Sequence, residues 1–175
     1  MKIDMTPILS GETEVIPFDL TAPLGNEAAE QFKADFDADF TSLLHLTGRV
    51  VNHSGYMSLE AGLTADYETR CARCLKELKF TASYHTEKPL AVRGTLQDEN
   101  NEDYVIIEDT VLDLMPIAEE LLLLELPQKH LCSEGCKGLC PKCGHDLNEG
   151  DCGCEKHEID PRLAVLKQLI TDGDK

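Results

Sequence analysis

Eight cysteines in four close pairs constrain this chain more than any other feature. Cys71 and Cys74 form one C-x-x-C, and Cys132 and Cys136 a C-x-x-x-C. Cys140 and Cys143 form a second C-x-x-C, and Cys152 and Cys154 a C-x-C. A short loop with two thiols aims both at one ion, and a tetrahedral zinc takes two such loops. The opening residues carry an early acid, Asp4, and no long apolar run, so no secretory signal is expected. The longest apolar stretch, Leu121 to Leu124, is too short to cross a bilayer. The expected compartment is the cytoplasm, where paired thiols hold metal or do redox work more often than they form bridges. The spacing therefore predicts two structural zinc ions rather than four disulfides.

The chain between the cysteines shows where these loops sit. Met57, Leu59, Ala61, Leu63, Ala65 and Tyr67 alternate with Ser58, Glu60, Gly62, Thr64, Asp66 and Glu68, the period of a half-buried strand. Alternation resumes after Lys76 with Leu78, Phe80, Ala82 and Tyr84. The first C-x-x-C is thus a zinc knuckle at the tip of a hairpin. A thioredoxin-type motif would instead open a helix, whose N-terminus activates the thiol, and here a strand follows. Leu43 to Val51 precedes the pair across a turn at 52–55, and Val15 to Leu20 reads as an earlier strand. Asn26 to Phe36 reads as a weak amphipathic helix or loop. Pro89 to Val92 and Tyr104 to Ile107 read as further short strands, flanking an acidic loop over 94–103. Asp113 and Pro116 open a helix whose apolar stripe is Leu114, Ile117, Leu121 and Leu124, and Pro127 ends it. Glu119, Glu120 and Glu125 are expected on its solvent side. Residues 131–155 lack periodic apolar positions and need metal to organise them. Asp160 and Pro161 then start a closing helix carrying Leu163, Leu166 and Ile170.

These elements predict an α+β fold: a mainly antiparallel sheet with a zinc-knuckle hairpin, two packed helices and a small C-terminal zinc-ribbon-like segment. They predict one domain over 1–175, divided into an N-terminal strand and loop segment (1–40), a β core with its helix (41–130), a cysteine-rich zinc segment (131–157) and a final helix (158–175).

Charge narrows the partners. With 33 acids against 16 bases the net charge is −17, which repels a phosphate backbone over most of the surface and favours basic partners. From Arg70 to Arg93, however, six bases meet only two acids. Arg70, Arg73, Lys76 and Lys79 surround the first C-x-x-C. Cations beside a negatively charged zinc–thiolate centre ordinarily neutralise it. The functional reading is a small contact patch for RNA phosphate or an acidic partner surface.

The C-P-K-C-G at 140–144 matches one half of a zinc ribbon, and Gly153 lets Cys152 and Cys154 close on it. One site is then Cys140, Cys143, Cys152 and Cys154. The other is Cys71, Cys74, Cys132 and Cys136, clipping the hairpin tip to the segment after the helix. A set of Cys132, Cys136, Cys140 and Cys143 around one ion remains open from spacing alone. His130, His145 and His157 are not needed as ligands and are read as surface residues or donors to the thiolates. A closed set of four thiolates is structural, whereas a catalytic zinc keeps a position for water. No serine–histidine–aspartate order, phosphate-binding loop or H-E-x-x-H is present. No catalytic residue, small-molecule substrate or membrane association is expected.

Two other classes are weaker. A redox-switched zinc chaperone also combines C-x-C with C-x-x-C on an acidic chain, but places the C-x-C first. A nucleic-acid-reading zinc ribbon needs bases and aromatics, and 132–154 carries two bases, four acids and no aromatic.

Cys71-x-Arg73-Cys74-Leu75 between two strands resembles the hallmark of the YceD family, the large ribosomal RNA subunit accumulation proteins. The helix ending at Leu126-Pro127, the Cys132–Cys136 pair and the Asp160-Pro161-Arg162-Leu163 helix start resemble it too. The stretch from Gly138 to Gly144, with Asp146-Leu147-Asn148 and Cys152-Gly153-Cys154, looks like the cysteine-rich Gram-positive-type branch. The resemblance covers roughly residues 40 to 172. It implies a non-enzymatic role in 23S rRNA accumulation or processing and in large-subunit assembly, with a ribosomal protein or the pre-ribosomal large subunit as partner. It also implies that the second thiol site is a brace peculiar to the branch. Arg73 becomes the candidate contact by position in the hallmark.

Overall fold

The computed structural model describes residues 1–95 and 104–154. Its elements in chain order are β1 (Lys2–Asp4), α1 (Thr6–Leu9), β2 (Val15–Ala22), α2 (Asn26–Phe36), β3 (Asp39–Phe40), β4 (Leu44–His53), β5 (Tyr56–Arg70), β6 (Glu77–Val92), β7 (Val105–Ile107), β8 (Val111–Asp113) and α3 (Met115–Glu125). The closing helix expected from Asp160, and most of the acidic loop, lie outside the described residues.

The long alternating runs become the spine of one sheet, ordered β2-β4-β5-β6-β7, with β3 pairing β5 beyond the end of β4. All pairings are antiparallel except β6 with β7. The architecture is α+β with a mainly antiparallel sheet, as the alternation predicts. A separate two-stranded ladder joins β1 to β8, setting Ile3 opposite Leu112. Three residues per strand carry no readable period, so this long-range pair was not visible in the sequence.

Along β5 the predicted inward set is buried: Met57, Leu59, Ala61, Leu63, Ala65 and Tyr67. Leu59 and Leu63 each contribute about 1.5–3 kcal/mol when fully covered, and the alanines about 0.8 kcal/mol. They meet Leu44, Leu46 and Val50 of β4 and the inner face of α3, where Ile117, Ala118, Leu121 and Leu122 are buried. Asp113 Oδ1 accepts the Met115 N–H at 3.0 Å, and Pro116 sits in the first turn of α3.

Two expectations need correction. Residues 89–92 are not a separate strand but the end of the 16-residue β6. A proline is tolerated there because β6 gains its outer neighbour only from Leu90 onward, and an edge position has no ladder bond to lose on its open side. Leu124 is not in the buried stripe either: it is 70% exposed. The inner face of α3 is already filled by 117, 118, 121 and 122, and Leu124 points away from it.

Candidate metal centre

The hairpin tip is built by its own hydrogen bonds. Leu75 N donates to Cys71 O at 2.9 Å, and Cys71 N to Lys76 O at 2.8 Å. The second C-x-x-C repeats this pattern: Gly144 N donates to Cys140 O at 2.9 Å, and Cys140 N to His145 O at 2.8 Å. The turn residue is left-handed in both, with φ of 61° at Leu75 and 75° at Gly144. Glycine adopts that conformation freely; a leucine there is strained. Leu75 is also 57% exposed.

The thiols gather in two fours. Cys71, Cys74, Cys132 and Cys136 form one group and Cys140, Cys143, Cys152 and Cys154 the other, the sulfurs of each lying within 4.8 Å of one another. In the first, Cys71 and Cys136 sulfurs are 3.8 Å apart, and Cys74 and Cys132 sulfurs 3.6 Å. A disulfide would bring them to about 2.05 Å. A tetrahedron with metal–sulfur bonds of about 2.3 Å has edges of about 3.8 Å. The spacing fits four thiolates around one ion, so each group can hold a metal. The alternative set joining Cys132, Cys136, Cys140 and Cys143 is not formed.

Charge makes the same point. The Cys74 backbone N–H, then those of Cys132 and Arg73, outweigh burial and hold the Cys71 thiol down to about 6. The N–H groups of Cys143 and Lys142, joined by the Cys152 thiol, do the same for Cys140, also down to about 6. The thiols of Cys143 and Cys152 push Cys154 up to about 12. The knuckle amides thus favour one thiolate per group, and further ionisation crowds like charges. A cation removes that obstacle.

The basic residues of the tip are engaged within the chain. Arg70 forks onto Asp37, with Nε–Oδ2 at 2.9 Å and Nη2–Oδ1 at 2.6 Å. That pair holds the Asp37 carboxyl below its ordinary range. Lys79 Nζ reaches Glu68 at 2.6 Å. Arg73 donates from Nη1 to Cys136 O at 2.7 Å and to Glu134 O at 3.3 Å. Its own carbonyl accepts from Leu139 N at 3.1 Å. Gly138 packs here with φ of 75°, where a Cβ would stand 2.9 Å from Arg73 O. Arg73 therefore braces the cysteine segment against the tip. Among the four, Lys76 alone has a side chain without a hydrogen-bonding or ionic partner among the described residues, and it is exposed.

A family model described as large ribosomal RNA subunit accumulation protein YceD matches residues 59–170, a span that includes all eight cysteines. The chain belongs to the YceD family. The uncharacterised protein YlbN of Bacillus subtilis is 31% identical over 153 residues, covering 85% of this chain and 87% of the relative. An uncharacterised protein of Mycobacterium tuberculosis is 30% identical over 134 residues, covering 75% and 64%. The chloroplastic large ribosomal RNA subunit accumulation protein YCED homolog 1 of Arabidopsis thaliana is 34% identical over 58 residues, covering 33% and 18%. No solved structure matches. No helix among the described residues of this YceD-family chain is long and apolar enough to cross a membrane.

Two residues that help build this centre have roles that sequence reasoning did not foresee. Asn148 Nδ2 donates to Cys136 Sγ at 3.4 Å while its Oδ1 accepts Lys137 N at 2.8 Å. It stands in the segment between the ligand pairs of the second group and reaches a sulfur of the first. The Asp146-Leu147-Asn148 stretch was visible, but its target was not. His130, expected at the surface or beside a thiolate, is only 6% exposed, and its Nε2 meets Tyr67 Oη at 2.7 Å. Its carbonyl accepts the Ala72 N–H at 2.8 Å, tying the tip to the segment after α3. Burial pushes the His130 imidazole pKa down.

Proposed function

We propose that this chain is a non-enzymatic ribosome-biogenesis factor that promotes 23S rRNA accumulation or processing and large-subunit assembly, with two structural zinc ions. The observation that carries the reading is the family match over 59–170, which takes in the hairpin tip and both thiol groups. The name of the Arabidopsis relative supports it. The four-sulfur sets support a structural role for the metal, because four thiolates fill a tetrahedral shell and leave no position for water or substrate. Cys71, Cys74, Cys132 and Cys136 would hold one zinc, and Cys140, Cys143, Cys152 and Cys154 the other.

The acidic surface suits a basic ribosomal protein or the protein face of a pre-ribosomal large subunit. Lys76 would touch rRNA, with Arg70 and Lys79 exchanging exposed carboxylate partners for phosphate, and Arg73 acting from beneath as their support. The chain would act as one domain in the cytoplasm. Tagged chain recovered from lysate, with and without RNase, tests this alongside the ratio of 23S to 16S rRNA in cells lacking it. Large-subunit protein or 23S precursor in the eluate and a lowered ratio are expected. An unchanged ratio and an eluate free of both would sink the proposal.

A further inference from the structure

The two thiol groups are joined by one side chain. Asn148 stands in the loop between Cys143 and Cys152 of the second group, yet its amide serves the first. Nδ2 donates to Cys136 Sγ at 3.4 Å and to Asp146 Oδ1 at 2.6 Å, and Oδ1 accepts the Lys137 N–H at 2.8 Å. The Asn148 N–H also goes to Asp146 Oδ1, at 2.9 Å. One side chain thus holds a sulfur of the first group, the backbone next to that sulfur, and its own loop. A donor on a ligand atom keeps the ligand in its metal-binding orientation.

A second link runs the other way. Arg73, inside the first C-x-x-C, accepts the Leu139 N–H on its carbonyl at 3.1 Å while its guanidinium holds Cys136 O at 2.7 Å. Leu139 precedes Cys140, so the hairpin tip fixes where the second knuckle starts. The approach is close: a Cβ on Gly138 would stand 2.9 Å from Arg73 O. Leu147 N then donates to Gly138 O at 2.9 Å, which brings the Asn148 loop back onto the same junction.

That loop buries little of itself. From 141 to 150 every residue is exposed except the half-buried Asp146 and Leu147. Its two ends meet at the sulfurs of Cys140, Cys143, Cys152 and Cys154, and an ion among them would remove the entropy of an open polar chain. With that group empty, Asn148 sits on a loosely held loop and its bond to Cys136 is easily lost.

We propose that the second thiol group is a regulatory metal site: an ion at Cys140, Cys143, Cys152 and Cys154 raises the metal affinity of Cys71, Cys74, Cys132 and Cys136, with Asn148 as the positioning residue that carries the effect. Coupling between two binding equilibria is reciprocal, so metal at the first group tightens the second by the same factor. That factor is about tenfold, the low end for a hydrogen bond to a ligand, because Asn148 is exposed and water partly replaces its amide. As metal becomes scarce, the chain is then biased toward losing both ions rather than keeping the tip clipped alone.

The full chain stripped of metal tests this, with cadmium-113 as the probe and a competing chelator. Each four-sulfur group gives its own cadmium resonance, assigned by its loss in Cys71→Ser or in Cys143→Ser. Cys143→Ser with Cys154→Ser empties the second group and should lower cadmium affinity at the first about tenfold. Asn148→Ala should cause a similar loss with two ions still bound at saturation, and adding it to the emptied variant should cost little more. The first-group resonance should also shift in Asn148→Ala, because the lost bond ends on a ligand sulfur. First-group affinity that is unchanged when the second group is emptied overturns the proposal, as do losses that simply add. Asn148→Ala keeps all eight thiols, so it decides even where the serine variant fails to fold: full first-group affinity in Asn148→Ala refutes the coupling. The coupling rests on the reading that both groups hold metal. A single ion at saturation removes that reading and the coupling with it, whereas two ions with independent affinities remove the coupling alone.

Discussion

The two thiol groups differ most in how much chain they close, and that difference sets a measurable gap between two substitutions. In the first group, Cys71 meets Cys136 across 65 residues, and Cys74 meets Cys132 across 58. Closing a loop of about sixty residues removes about 4 kcal/mol of conformational entropy from the unfolded chain. In the second group, the span from Cys140 to Cys152 is about a dozen residues, for which the same relation gives about 3 kcal/mol. Cys71→Ser also leaves a hydroxyl among buried sulfurs, whereas Cys143 is exposed. Cys71→Ser should therefore destabilise the metal-loaded protein more than Cys143→Ser by at least ~1 kcal/mol, and should also free the segment after α3. Urea unfolding with saturating zinc measures the gap, and native mass spectrometry counts the ions. Two ions falling to one in each variant, with the larger stability loss in Cys71→Ser, is the expected result. A single ion in the unaltered protein, or equal losses from both substitutions, would refute the reasoning.

Asn148→Ala should lower metal affinity at the first group by about 10–100-fold, the usual effect of removing a hydrogen bond to a ligand. Cobalt absorption bands, titrated against a chelator, report each group. Leu75→Gly should raise the stability of the isolated chain by ~1 kcal/mol by relieving the left-handed leucine, and an unchanged or lower midpoint in thermal unfolding would count against that strain. Tyr67→Phe leaves the buried His130 ring without its partner and should cost about 1–3 kcal/mol. Burial pushes the Tyr67 phenol up to about 12. An unfolded tyrosine ionises near 10, so stability should be full below that pH and fall as pH rises toward 12, with the phenolate absorbance appearing late.

Local patterns were legible where the chain pairs with itself nearby. The alternation from Met57 to Tyr67 announced β5, its hairpin and the burial of each inward residue, because a period of two has few other meanings. Loop length made each close pair a unit serving one ion, but which two pairs share an ion stayed open from spacing and came from the structure. What stayed hidden depends on distant chain. Nothing local to Ile3 points to Leu112, and nothing around Asn148 points to Cys136. Pro89 misled because a proline reads as a break until the open side of β6 is known. Leu124 misled because its spacing suits the stripe, and only the packing of α3 shows that stripe already full. Arg73 looked like a free cation until the carbonyls it holds came into view.

The clip between tip and tail also orders events during synthesis. The β5–β6 hairpin is local and forms within microseconds once both strands are free. Cys132 and Cys136 are polymerised some sixty residues after Cys71, which at cellular elongation rates is a delay of about 3–12 s. Throughout that interval Cys71 and Cys74 sit on a formed tip with half of their ligand set still unmade. A metal ion bound there would then arrive as a late lock on a hairpin already in place, and the pace of translation, rather than the pace of folding, would decide when it closes.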